Sequence, residues 1–169
     1  AYDFETFYHY IRTISETLGP KSFGLKLPPY FDNNHFEIVA DIINEYSSIS
    51  YITCVNSIPL GFYINTDDDN SVIKPNDGFG GLGGSSILPI GLSNVNKFYH
   101  LLRNKSIVGC GGVESGEDVY RYLLAGACST QIGTTLYNNG LTEFERIVLE
   151  LKGILTKKGY NSIHDIPKI

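Results

Sequence analysis

The sequence predicts an α/β chain of about four βα units with a β insertion, the C-terminal half of a (β/α)8 barrel, forming one domain over residues 1–169. Three observations carry that reading. Short apolar runs around Phe23, Ile49, Ser106 and Cys128 read as strands, and they are mostly apolar rather than alternating, which indicates parallel strands covered on both faces. Each is followed by apolar residues at three- and four-residue steps, the period of a helix. A complete eight-fold barrel takes about 250 residues, whereas this chain has 169 residues. A doubly wound open sheet is the structural competitor, but no G-x-G-x-x-G follows a first strand with an acidic residue downstream.

In chain order, Phe4, Phe7, Tyr8, Ile11, Ile14 and Leu18 mark an amphipathic helix ended by Gly19-Pro20. The run Phe23–Leu27 is a strand stopped by Pro28-Pro29, since neither proline donates to a sheet ladder. Asp32 or Asn33 caps a helix carrying Ile38, Val39, Ile42 and Ile43, and residues 49–55 form the next strand. Residues 61–74 read as a two-stranded excursion turning at Thr66-Asp67-Asp68-Asp69-Asn70, followed by Gly78-Phe79-Gly80-Gly81-Leu82-Gly83-Gly84. A helix with Leu92, Val95, Phe98, Leu101 and Leu102 leads into the strand Ser106–Cys110, then Gly111-Gly112 and the helix Gly116–Leu124. Residues 128–132 form the last strand, Gly133-Thr134-Thr135 its exit loop, and Phe144, Ile147, Val148, Leu151 and Ile154 the stripe of a final helix.

Composition narrows the function classes. A net charge of -5 with scattered lysines and arginines offers no field for a phosphate backbone, so nucleic acid is excluded as a partner. No apolar stretch approaches the ~20 residues of a membrane span, and no signal peptide opens the chain, which together predict a cytoplasmic protein. Cys54, Cys110 and Cys128 lack metal-ligand or disulfide spacing and read as reduced thiols. No metal site is expected: His9, His35 and His100 have no partner spacing, and Asp67-Asp68-Asp69 lacks the ligand pattern of a calcium loop. The chain begins at Ala1 and contains no methionine, so it is expected to be cut from something longer or to have lost its initiator.

The strongest chemical signal is the pair of loops Cys110-Gly111-Gly112 and Gly133-Thr134 after the last two strands. Glycines let backbone N–H groups approach an anion, and barrels commonly bind phosphate there. A flavin mononucleotide phosphate and a sugar phosphate both fit that description. Lys26 interrupts an apolar strand near its C-terminal end, either reaching water or holding a positive charge against an anionic cofactor. Asn56-Ser57, past the next strand, could bond a planar polar substrate or form a plain turn. Tyr99, Tyr120 and Tyr122 read as packing or rim residues.

The segments Ala1-Tyr2-Asp3-Phe4, Gly24-Leu25-Lys26-Leu27-Pro28-Pro29-Tyr30-Phe31-Asp32, Val55-Asn56-Ser57-Ile58, Val72-Ile73-Lys74-Pro75, Gly78 through Gly84, Cys110-Gly111-Gly112-Val113, Ser115-Gly116 and Gln131-Ile132-Gly133-Thr134 resemble, in order and spacing, the class 1A dihydroorotate dehydrogenases. The resemblance covers essentially the whole chain. It implies a barrel flavoprotein that oxidises dihydroorotate to orotate on FMN, with fumarate reduced to succinate, as a homodimer in the full enzyme. On it, Lys26, Val55, Gly83, Gly84, Cys110, Gly111, Gly112, Gly133 and Thr134 would hold FMN, and Asn56 and Ser57 would face the substrate. It also implies that the base is a cysteine upstream of Ala1, in an N-terminal half that carries the remaining strands, so no catalytic residue is nominated in this chain. The alternatives are a non-catalytic FMN- or phosphate-binding half-barrel, and the phosphate-binding half of an aldolase- or isomerase-type barrel, which does not predict the Lys-Leu-Pro-Pro-Tyr-Phe run. Ile58-Pro59-Leu60-Gly61 stands where the family usually has I-G-N-G, Ser85-Ser86 follows the glycine loop, and the tail Ile163-His164-Asp165-Ile166 lacks the usual F-R-G.

Overall fold

A computed structural model describes residues 2–169; Ala1, the first residue of the Ala1-Tyr2-Asp3-Phe4 segment, lies outside the described residues. Helix α1, Phe4–Leu18, starts at Asp3, whose carboxylate accepts the Thr6 N–H. Strand β1 is Phe23–Leu27. Helix α2, Asn33–Glu45, is capped by Asp32, which accepts the N–H groups of Asn34 and His35, and strand β2 is Ile49–Cys54. An arm follows: β3, Ile58–Phe62; β4, Ile64–Asn65; β5, Asn70–Ser71; and β6, Phe79–Leu82. The rest comprises α3, Leu88–Leu101; β7, Ser106–Cys110; α4, Gly116–Leu124; β8, Ser129–Gln131; α5, Thr134–Asn139; and α6, Thr142–Lys158.

The strands β1, β2, β7 and β8 form one parallel sheet in that order. This is half of a barrel wall, with β1 and β8 as its edges. On its helix-covered face Leu27, Ile49, Ile52, Cys54 and Ile107 share one core cluster with Val39, Ile43, Val95, Phe98, Tyr122 and Leu123 of the helices. Tyr30, Phe36 and Phe98 meet edge to face. Asn94 is buried among them: its amide accepts the Tyr30 N–H and donates to the Tyr30 and Ile90 carbonyls, so no polar atom there lacks a partner.

Several expectations move. The second strand ends at Cys54 rather than 55, and the last is Ser129–Gln131 rather than 128–132. Thr134 and Thr135 belong to helix α5 rather than to an exit loop, and β-branched and Asn-rich residues with no apolar period gave that short helix no sequence signal. The excursion is larger than 61–74. It begins at Ile58, and part of the glycine-rich run is itself a strand, β6, antiparallel to β3, while β4 and β5 form the outer hairpin. Close approach explains the glycine there: a Cβ on Gly81 would lie 2.3 Å from Ser57 Oγ.

Candidate functional site

All four strands of the parallel sheet end on one side, and their exits meet in a cavity of about 120 Å3. Every residue nominated for cofactor binding lines it: Lys26 near the end of β1, Val55 after β2, Gly83 and Gly84 after β6, Cys110, Gly111 and Gly112 at the end of β7, and Gly133 and Thr134 after β8. Ser57 lines it as well. Asn56 does not; with Ser57 it lines an adjoining cavity closed by Pro28, Pro59, Leu60, Asn76, Gly80 and Gly81. Ser57 therefore belongs to both spaces, and the pair spans the boundary between them.

Local bonds fix the strand exits. The Val55 N–H donates to the Cys110 carbonyl at 2.7 Å and the Asn56 N–H to the Leu27 carbonyl at 2.8 Å, so three strand ends are tied together. The Tyr122 hydroxyl, buried beneath the sheet, donates to the Gly111 carbonyl at 2.8 Å. Burial pushes the Tyr122 phenol up from its ordinary value, so it stays a donor. Thr135 Oγ1 donates to the Val113 carbonyl at 2.6 Å, joining the β7 loop to the first turn of α5. Gly112, at φ +71°, packs so closely that a Cβ would lie 2.8 Å from the Leu88 nitrogen, which holds the loop against the start of α3.

The cavity has a distinct electrostatic character. Lys26 is the one charged side chain lining it among the described residues, and its Nζ donates to Cys110 Sγ at 3.6 Å. No aspartate or glutamate lines it, although the whole chain carries -5. The start of α5 at Gly133 has no side-chain cap, leaving first-turn N–H groups free for another acceptor. A Cβ added to Gly133 meets no atom within 4 Å, so open space faces that backbone. Free backbone donors, one ammonium and no acid suit a phosphate group. The volume is below the roughly 300–1,000 Å3 of a site that encloses a whole cofactor-sized ligand, as one wall of a larger site would be.

Ile87, Val113, Gln131 and Thr135 also line the cavity and were not nominated. Gln131 and Val113 lay within motif segments, and Thr135 was adjacent to one; Ile87 carried no signal. The remaining cysteines stand apart. Cys54 is fully buried and burial pushes its thiol well above the ordinary range, while Cys128 is exposed outside the cavity. His35 stacks on Tyr2 and lies tilted against Phe4, a packing role.

The family model for dihydroorotate dehydrogenase matches residues 3–155. This chain belongs to the dihydroorotate dehydrogenase family. Among its relatives, "Dihydroorotate dehydrogenase (fumarate)" of Kluyveromyces lactis is 48% identical over 166 residues, and that of Trypanosoma brucei brucei 45% over 165 residues. "Dihydroorotate dehydrogenase A (fumarate)" of Lactococcus lactis subsp. lactis is 46% identical over 166 residues. These alignments take in 98% of this chain but 52–53% of each relative, so the chain spans about half the length of the curated relatives it matches. The match is consistent with the C-terminal half of a class 1A dihydroorotate dehydrogenase. The crystal structure of the Eimeria tenella enzyme in complex with ferulenol superposes with a TM-score of 0.68 at 21% identity, over 85% of this chain and 36% of that one, which supports the partial-barrel fold. No helix among the described residues is long and apolar enough to cross a membrane.

Proposed function

We propose that this dihydroorotate dehydrogenase chain forms the FMN-binding wall of a cytoplasmic enzyme that oxidises dihydroorotate to orotate, with fumarate as acceptor. The observation that carries the reading is the acid-free cavity where four parallel strands end, lined by Lys26 and by the glycines of the β7 and β8 loops. The N–H groups around Gly111, Gly112, Gly133 and Thr134 would hold the phosphate. Lys26 would hold its positive charge against the ring system, and Val55 with Gly83 and Gly84 would wall it from water. Asn56 and Ser57, at the boundary of the adjoining space, would orient the planar polar substrate through amide and hydroxyl bonds. FMN, when bound, supplies the hydride acceptor. The proton beside the substrate carbonyl goes to a base outside these residues, by resemblance a cysteine of the N-terminal half. Cys54, buried with its thiol held protonated, is unsuited to that task. The full enzyme would be a homodimer.

A second reading, binding without turnover, is favoured by one observation: apart from Lys26 and Cys110, both nominated to hold the cofactor, no acid–base side chain lines the cavity among the described residues. The two readings separate in one titration. Adding FMN to the chain, alone and with the N-terminal half of a relative, should quench flavin fluorescence, with dihydroorotate:fumarate turnover present in the mixture and absent from the chain alone. Turnover by the pure chain would overturn the need for a second half, and flavin binding without turnover in the mixture would select the binding module. Gly133→Asp sets a carboxylate in the open space while supplying a favourable helix cap, so folding is kept and FMN affinity falls at least about tenfold. Unchanged affinity would remove Gly133 from the site.

A further inference from the structure

Tyr122 stands on α4 with its side chain wholly buried, and two other elements leave room for it. A Cβ on Gly109 of β7 would overlap its ring, and a Cβ on Gly91 of α3 would overlap its hydroxyl oxygen. The ring therefore lies directly on the strand, and the hydroxyl passes through space that a side chain on α3 would fill. A buried tyrosine hydroxyl needs a partner. This one reaches the carbonyl of Gly111, the first residue past β7, at 2.8 Å.

In a planar trans peptide, a carbonyl and the N–H of the next residue point in opposite directions. Drawing the Gly111 carbonyl toward Tyr122, on the helix side of the sheet, turns the Gly112 N–H the other way, toward the cavity that both glycines line. The flanking groups are held as well: the Cys110 carbonyl accepts the Val55 N–H at 2.7 Å, and Gly112 rests against Leu88. Between two glycines a peptide is otherwise free to flip. A flip would set a carbonyl oxygen, which repels an anion, where an N–H donor stood. We infer that Tyr122 is a positioning residue for the anion site: its hydroxyl, without touching the ligand, fixes the Gly111–Gly112 peptide with the N–H facing the phosphate. The inference rests on the phosphate role given to these glycines in the proposed function and adds what sets their orientation.

The test compares flavins with and without a phosphate. Tyr122→Phe keeps the ring on Gly109, so the variant folds with a lower melting temperature, and binding is read well below it by quenching of flavin fluorescence. FMN affinity should fall about tenfold. Riboflavin, which has the same ring system and ribityl chain and no phosphate, should bind the native chain and the variant equally. Tyr120→Phe, at a buried tyrosine of the same helix that lies under Lys158 of α6, should change neither. Equal losses for both flavins would make Tyr122 a packing residue, and unchanged FMN affinity would mean that the loop keeps its orientation unaided; either result overturns the inference. Inorganic phosphate separates it from the cofactor reading. A native chain that binds neither flavin sinks that reading, and thermal protection by phosphate then decides: protection that Tyr122→Phe loses upholds the inference, and protection shared by both chains, or seen in neither, overturns it.

Discussion

The parallel wall and the antiparallel arm both carry large apolar side chains, to opposite effect. In the wall, Val39, Ile43, Ile49, Ile52, Val95 and Phe98 are wholly buried between sheet and helices. In the arm, Leu60, Phe62, Tyr63, Ile64, Val72, Phe79 and Leu82 are all exposed, and Phe62 and Phe79 find chiefly each other, at 5.0 Å between centroids. Two thin hairpins cannot enclose a core, so their conformation depends on turns and on glycines that admit close backbone approach. Stability should therefore reside in the wall, with the arm held as a shaped appendage over the strand exits.

The largest effect that would break this contrast comes from paired truncations. Phe98→Ala empties the aromatic cluster with Tyr30 and Phe36 and should cost about 3–5 kcal/mol. Tyr63→Ala, at a position 77% exposed on the arm, should stay within about 0.5 kcal/mol. Urea unfolding of both variants decides it, and comparable losses would mean that the arm shares the core.

The same contrast explains what the sequence disclosed. Buried parallel strands are continuous apolar runs and their helices have a 3.6-residue period, so the wall was readable from Phe23–Leu27, Ser106–Cys110 and the stripe ending at Phe98. The arm was readable only in its outer part, the two-stranded excursion 61–74 turning at Asp67-Asp68-Asp69. A glycine run that pairs as β6 gives no strand signal, because its pairing is dictated by neighbours such as Ser57 rather than by its own side chains. In the cavity, Lys26 and the loop glycines were legible because charge and glycine are out of place at buried strand ends. Ile87 was not, since an apolar residue lining a cavity has the same sequence pattern as one filling a core. That Asn56 and Ser57 face adjoining spaces depends on the fold of the arm and had no sequence signature.

A smaller effect sharpens the contrast from the arm's side. Leu60 is held at φ +60° while 74% exposed, so it bears left-handed strain with little burial to offset it. Asp69, Asn76, Asp77 and Asn104, the other non-glycine residues at positive φ among the described residues, are all types that tolerate that region. Leu60→Asn should raise stability by up to about 1 kcal/mol, seen as a higher urea midpoint with an unchanged slope. A lower midpoint would show that the leucine side chain makes contacts that matter to the arm.

The smallest effect concerns charge. The wall pairs its charges across helix turns: Arg146 on α6 reaches Glu143, Glu150 and the Glu114 carbonyl, whereas no cation pairs with Asp67, Asp68 or Asp69 among the described residues. Arg146 holds the Glu143 carboxyl below its ordinary value of 4.5. A group depressed in the folded state stabilises above its unfolded value and loses that contribution as pH falls through the folded one. The melting difference between the native chain and Glu143→Gln should therefore be constant above pH 4.5 and shrink progressively below it. The corresponding difference for Asp68→Asn on the arm should be close to zero at neutral pH, because a solvated turn has no ion pair to lose. A Glu143→Gln difference that persisted unchanged into acid would assign the residue a packing role, and the wall's advantage over the arm would then lie in burial alone.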